Sequence, residues 1–170
     1  MIIAYTGLPG AGKTYTLAKD CEFERTKRKR DIYANFALKG AHYFTDIKQV
    51  LNVKHGVIAI DEMNTLCPSF KWQSLPVEYV NLWTQSRKNG VDLWYSTQNF
   101  RGVVVSIRDV TNYIIKFDWY FNPKLFPKLH ISRKIDAYDS EKTKAKVHEK
   151  KVFYERESVY KLYDTYRSEE

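Results

Sequence analysis

Residues 7–14 read GLPGAGKT, which fits G-x-x-x-x-G-K-[ST] and constrains the fold more tightly than any other stretch of the chain. The octapeptide follows an apolar run at residues 2–6, IIAYT. It opens a segment from Lys13 to about residue 29 in which Leu17, Ala18 and Cys21 recur at helical spacing. Strand, glycine loop and helix in that order make a phosphate cradle. Gly7, Gly10 and Gly12 let the backbone turn tightly and aim N–H groups inward, while the new helix offers the positive end of its dipole to the same anion. Lys13 is then expected to reach the β- and γ-phosphates, and Thr14 to place its hydroxyl on Mg²⁺. The expected ligands are ATP and Mg²⁺, held along Gly7, Leu8, Pro9, Gly10, Ala11, Gly12, Lys13, Thr14 and Tyr15. The competing reading is a bare glycine turn before a helix, which the complete motif and its flanks disfavour.

Hydrolysis needs more than a cradle. Residues 57–60, VIAI, form an apolar run that suits a buried parallel strand, and Asp61 and Glu62 follow it directly. A carboxylate at the tip of such a strand can hold Mg²⁺ through its water shell, the role expected of Asp61. Glu62 is then placed to polarise the attacking water as general base. An ordinary acidic turn is the bland alternative. Gln98 follows the apolar run VDLWYST at 91–97 and would sit near the γ-phosphate if that strand lies between the other two; a plain loop glutamine is the alternative. An arginine reaching into a neighbouring subunit often completes such sites. Arg87, Arg101 and Arg108 are candidates, each also readable as a surface arginine, and Arg87 leads because it ends a helix just before the 91–97 strand.

The remaining pattern repeats this alternation. Residues 31–36 read as a strand. Pro76 suits a first helical position, with Val80, Trp83, Thr84 and Arg87 on one face until Asn89 and Gly90 stop the helix. Residues 112–121 read as a long aromatic strand, and 103–108 fit helix or strand equally. Pro123 and Pro127 mark a loop, and 131–138 with 151–154 suggest a hairpin. Strands separated by helical segments imply an α/β fold with a mostly parallel central sheet flanked by helices, plus a small peripheral C-terminal β element. For 170 residues one domain is expected, its core at about 1–121 and its periphery at about 122–170.

Composition bears on partners. A net charge of +8 favours a polyanion, and residues 25–30 hold five basic side chains, although a solvated helix C-terminus explains that run too. Cys21 and Cys67 lie apart, with neither disulfide-framework nor zinc spacing, which fits a reducing compartment. No secretory signal pattern is present, and no apolar run approaches the roughly 18 residues of a membrane span. A soluble chain is expected, with a membrane segment lost by truncation as the alternative. His42, His55, His130 and His148 read as structural or solvated; Trp72, Trp83, Trp94 and Trp119 read as core, and no aromatic is assigned a base-stacking role.

GLPGAGKT, VIAIDE, QSRKNGVDLWYSTQNF and, near the end, VYKLYDTY together resemble the zonula occludens toxin-like (Zot) family, and the similarity spans most of the chain. That family comprises assembly ATPases of filamentous phages and their relatives, related to FtsK/HerA-type DNA-translocating and packaging motors. The resemblance implies a RecA-like P-loop NTPase sheet with the 91–97 strand between the P-loop and Asp61 strands. It also implies a homo-oligomeric ring, action on phage DNA, phage coat or membrane assembly proteins as partners, and a place in the host cytoplasm or at the cytoplasmic membrane face. Lys13, Thr14, Asp61, Glu62 and Gln98 match the family's nucleotide-handling positions, and an arginine near Arg87 its trans-acting finger. Filamentous-phage members usually continue into a membrane span and an extracytoplasmic domain, whereas this sequence stops at Glu170; a cytoplasmic fragment or a soluble packaging type is expected. The toxin name describes another region. The expected function is an ATP-driven motor that packages or extrudes DNA, with an ATP-regulated assembly scaffold or a nucleotide-kinase-like phosphotransferase as alternatives.

Overall fold

The computed structural model describes residues 1–67, 76–118, 128–139 and 145–164. Apolar runs without alternation become the middle of its sheet. β1 (Ile2–Thr6) and β5 (Gly56–Ile60) are buried at every position, as strands covered on both faces must be. Between them runs β6 (Val91–Thr97), parallel to both, with Thr6 opposite Thr97 and Ile60 opposite Tyr95. The carboxyl ends of these three strands therefore converge on one edge of the sheet, where ligands of open α/β sheets collect.

The other strands extend outward. β7 (Tyr113–Asp118) lies parallel to β1 on its far side, and beyond β5 come β2 (Ile32–Ala34) and β4 (His42–Tyr43), also parallel. β8 (Leu129–Asp136) and β9 (Val147–Tyr154) add an antiparallel hairpin at the opposite edge, the expected peripheral β element. The order is β4-β2-β5-β6-β1-β7-β8-β9. A separate pair joins β3 (Ala37–Leu38) to β10 (Tyr163–Asp164), antiparallel.

Two apolar cores line the faces. α1 (Lys13–Lys27) buries Leu17, Ala18 and Cys21 with Tyr5, Val57, Ala59 and Trp94. On the other face α3 (Val77–Gln85) and α4 (Val105–Val110) bring Trp83 and Ile107 against Ile58, Ile60, Leu93 and Tyr95. Short helices α2 (Met63–Leu66) and α5 (Glu157–Tyr160) follow β5 and β9.

Several boundaries differ from expectation for local reasons. The 31–36 strand narrows to Ile32–Ala34 because Asn35 turns its amide onto Asp61. Pro76 precedes its helix as the N-cap rather than opening it. Residues 103–108 resolve as a turn into α4. The basic run lies at the sheet edge opposite the glycine loop, and three of its five basic residues form ion pairs: Arg25 with Glu22 (2.9 Å), Arg28 with Glu24 (3.0 Å), and Arg30 with Glu24 (3.1 Å) and Asp92 (2.7 Å). Both cysteines are free and buried, and burial pushes the Cys67 thiol up to about 11. Among the described residues no helix is long and apolar enough to cross a membrane. Trp72, the end of the expected 112–121 strand including Trp119, and the loop at Pro123 and Pro127 lie outside the described residues.

Candidate active site

The loop between β1 and α1 is shaped by its glycines. Gly10 and Gly12 take φ of 74° and 86°, a region side chains resist, and a Cβ on Gly7 would meet the Phe117 Cβ at 3.0 Å. Gly12 caps α1 without a side-chain acceptor, so the first N–H groups of the helix remain directed at whatever fills the loop. Lys13 is buried, and its Nζ donates to the Leu8 carbonyl of the same loop at 2.9 Å. Burial lowers the pKa of its ammonium, with Asp61 and Glu62 pulling the other way.

Opposite the loop, β5 delivers Asp61. The Thr14 hydroxyl lies 3.1 Å from both of its carboxylate oxygens. Three further contacts fix Asp61: the Ser96 hydroxyl donates to its carboxylate Oδ1, while at its backbone the Asp61 N–H donates to Asn35 Oδ1 at 2.7 Å and Asn35 Nδ2 donates to the Asp61 carbonyl at 3.1 Å. Glu62, exposed, adopts φ 52° and ψ 54°, a left-handed conformation that costs a non-glycine residue about 1 kcal/mol. Its N–H donates to Ser96 Oγ at 2.9 Å, so one serine fixes both members of the acidic pair. Local strain held by hydrogen bonds is common where a side chain must be aimed.

These groups face a cleft of about 570 Å³ lined by Pro9, Gly10, Lys13, Thr14, Asn35, Phe36, Asp61, Glu62, Thr65, Leu66, Ser96 and Gln98. The expected set of Lys13, Thr14, Asp61, Glu62 and Gln98 is thus brought together from three strand tips. Gln98 is there because β6 lies between β1 and β5. Asn35 and Ser96 escaped the sequence reading; the available signal was a polar residue at the end of each strand flanking the Asp61 strand.

Other expected residues lie elsewhere. Tyr15 does not line the cleft; its ring stacks on Phe153 at 5.9 Å and its hydroxyl accepts from the Arg156 N–H at 2.9 Å. None of Arg87, Arg101 and Arg108 lines the cleft. Arg87 is exposed just before β6, at the sheet edge opposite the cleft; Arg101 follows β6 on the cleft's own edge; Arg108 sits on α4 with its Nε buried. The arrangement can bind an anion beside a divalent cation, with a carboxylate in reach of a water.

The family model described as Zonular occludens toxin (Zot) matches residues 39–168. Among solved structures, the N-terminal domain of zonular occludens toxin from Neisseria meningitidis is 19% identical. It superposes with a TM-score of 0.68 over 96% of this chain and 98% of that one. The genome packaging NTPase B204 from Sulfolobus turreted icosahedral virus 2, in complex with ATP-gammaS, gives a TM-score of 0.60 at 13% identity, over 87% of this chain and 96% of that one. The KaiC-like protein PH0186 from Pyrococcus horikoshii OT3 gives 0.56 at 13% identity, over 89% and 84%. At these identities the likeness is one of fold: an α/β P-loop NTPase architecture with a mostly parallel sheet. No curated protein sequence matches the chain.

Proposed function

The chain belongs to the Zonular occludens toxin (Zot) family, and from that membership and the cleft we propose that it is a Mg-ATP-dependent P-loop motor that packages or extrudes phage DNA during virion assembly. One observation carries the enzymatic part: Thr14 and Asp61 meet 3.1 Å apart at the mouth of an anion-directed helix, with Glu62 and Gln98 on the same cleft.

The residues suit Mg-ATP. A hydroxyl and a carboxylate are the hard oxygen donors a divalent cation of this kind takes, and Lys13 is held by a weak substitute, a loop carbonyl, that a phosphate can displace. When bound, Mg²⁺ supplies positive charge that offsets the charge on the transferring phosphoryl group. The chain's own residues do the rest. Loop N–H groups and Lys13 hold the phosphates in line, and Asp61, fixed by Ser96 and Asn35, keeps the donor set in register. Glu62 accepts a proton from water as the water oxygen bonds to the γ-phosphorus; the bond from that phosphorus to the bridging oxygen breaks, giving ADP and phosphate. Gln98 donates to the γ-phosphate or the attacking water and so ties nucleotide state to β6. Arg87, at the far edge of its own sheet, acts only on a neighbouring subunit's nucleotide in a homo-oligomeric ring.

The motor part is supported by family membership, the net charge of +8, and the likeness in fold to a viral genome packaging NTPase. Steady-state ATP hydrolysis, measured with and without single- and double-stranded DNA at fixed low salt, tests both parts. Wild type is expected to turn over faster with DNA, and Glu62→Gln to bind ATP without turnover. Normal turnover in Glu62→Gln would remove Glu62 from the mechanism. Tight ATP binding with a rate equal to that of Lys13→Ala would instead make the chain an ATP-regulated scaffold.

A further inference from the structure

A second cavity, of about 770 Å³, opens between the β3 turn and the segment that carries α5 into β10. It adjoins the phosphate cleft, since Phe36 lines both. Phe36 is 7% exposed and forms part of the wall, whereas Tyr43 and Tyr160 are 38% and 42% exposed. Tyr163 lies beside Tyr160 with ring centroids 5.9 Å apart. Lys39 and Lys161, both exposed, add two ammonium groups, and among the described residues neither is in an ion pair. The walls are tied together, because Lys39 N–H donates to the Leu162 carbonyl at 2.7 Å beside the β3–β10 pairing. They are also tied to the loop: the Tyr160 ring lies 5.5 Å from that of Tyr15, which follows Thr14 directly.

Partly exposed tyrosines beside exposed lysines match a flat, π-faced ligand carrying phosphate. The rings supply stacking surface that any base can use, and the lysines supply charge that reads no sequence. We propose that this cavity binds a nucleobase, either that of the nucleotide whose phosphates fill the adjoining cleft or that of a single strand passing its mouth. In its first form the inference rests on the ATP-binding reading of the cleft; in its second it does not.

Quenching of 2-aminopurine distinguishes the two sources, using the purified chain at fixed low salt. One probe is 2-aminopurine riboside triphosphate with Mg²⁺, the other a short single-stranded oligodeoxynucleotide containing 2-aminopurine, and inorganic tripolyphosphate reports the cleft alone. Tyr43→Ala and Lys161→Gln change exposed positions and are expected to retain the wild-type circular dichroism and melting. Each variant is expected to bind one probe about tenfold more weakly while tripolyphosphate affinity is unchanged. Loss confined to the triphosphate probe assigns the cavity to the nucleotide's own base; loss confined to the oligonucleotide assigns it to a strand. Folded variants that bind both probes with wild-type affinity, or a wild type that quenches neither, would overturn the proposal. Failure of the ATP reading shows separately, as a wild type that binds no tripolyphosphate or a Lys13→Ala variant that binds it equally well.

Discussion

At the scale of single residues, Ser96 does two things with one hydroxyl, donating to Asp61 and accepting from the Glu62 N–H. Ser96→Ala leaves that N–H without its partner and the carboxylate less constrained, and is expected to lower kcat at least tenfold and stability by about 1–2 kcal/mol. Steady-state kinetics and urea melts check both; an unchanged kcat would mean Asp61 needs no support from β6. Glu62 offers the converse case, because its left-handed φ of 52° opposes its own side chain. Glu62→Gly is expected to abolish hydrolysis while raising stability by up to about 1 kcal/mol, a split that a merely structural glutamate would not give. Glu155, buried behind the loop, is pushed up by burial, yet the bonds from His130 and Tyr160 outweigh this and hold its carboxyl below the ordinary value. A carboxyl whose pKa is depressed by folding stabilises above its unfolded value, and that contribution is lost as pH falls through the folded one. Stability should therefore decline from about pH 4.3 downward, and Glu155→Gln should flatten that limb of an acid-unfolding curve.

At the scale of elements, β1 and α1 were legible because their signal is local: an apolar run, a glycine loop, then helical spacing. The acidic tip of β5 was legible for the same reason. Asn35 and Ser96 were not, because a polar residue at a strand end gains meaning only when another strand's carboxylate stands beside it, 2.7 Å away in the case of Asn35 Oδ1 and the Asp61 N–H. Nor was the β3–β10 pair, since two-residue strands carry no periodicity and their partners are far apart in sequence. The basic run at the end of α1 also changed meaning once folded. Arg30 joins three elements through Glu24, Asp92 and the Gly56 carbonyl. Arg30→Ala is expected to cost about 2–3 kcal/mol, read by chemical denaturation, because it strips buried Glu24 and half-buried Asp92 of a shared cation. A loss of DNA affinity without loss of stability would instead return the run to nucleic-acid contact.

At the scale of the whole molecule, ligand binding and stability are linked. If the cleft holds Mg-ATP, a hundredfold excess over Kd adds about 2.7 kcal/mol, and the melting temperature should rise by about 5–10 °C in wild type and not in Lys13→Ala. Absence of that shift at saturating nucleotide would count against the cleft as the binding site. The glycine loop with its lysine, the acidic pair, the alternation of strand and helix and the surplus of positive charge can be read from the chain directly, because each is a property of neighbouring residues or of composition. The place of β6 between β1 and β5, which brings Gln98 to the cleft, is implied by the family resemblance and carried by the fold rather than by any local pattern. Folding also places Arg87 at the other edge, draws Arg25, Arg28 and Arg30 of the basic run into ion pairs, and sets the C-terminal tyrosines next to the cleft. Those outcomes depend on strand order and long-range pairing, which are set by how the two apolar faces of the sheet are covered, and no local pattern records them.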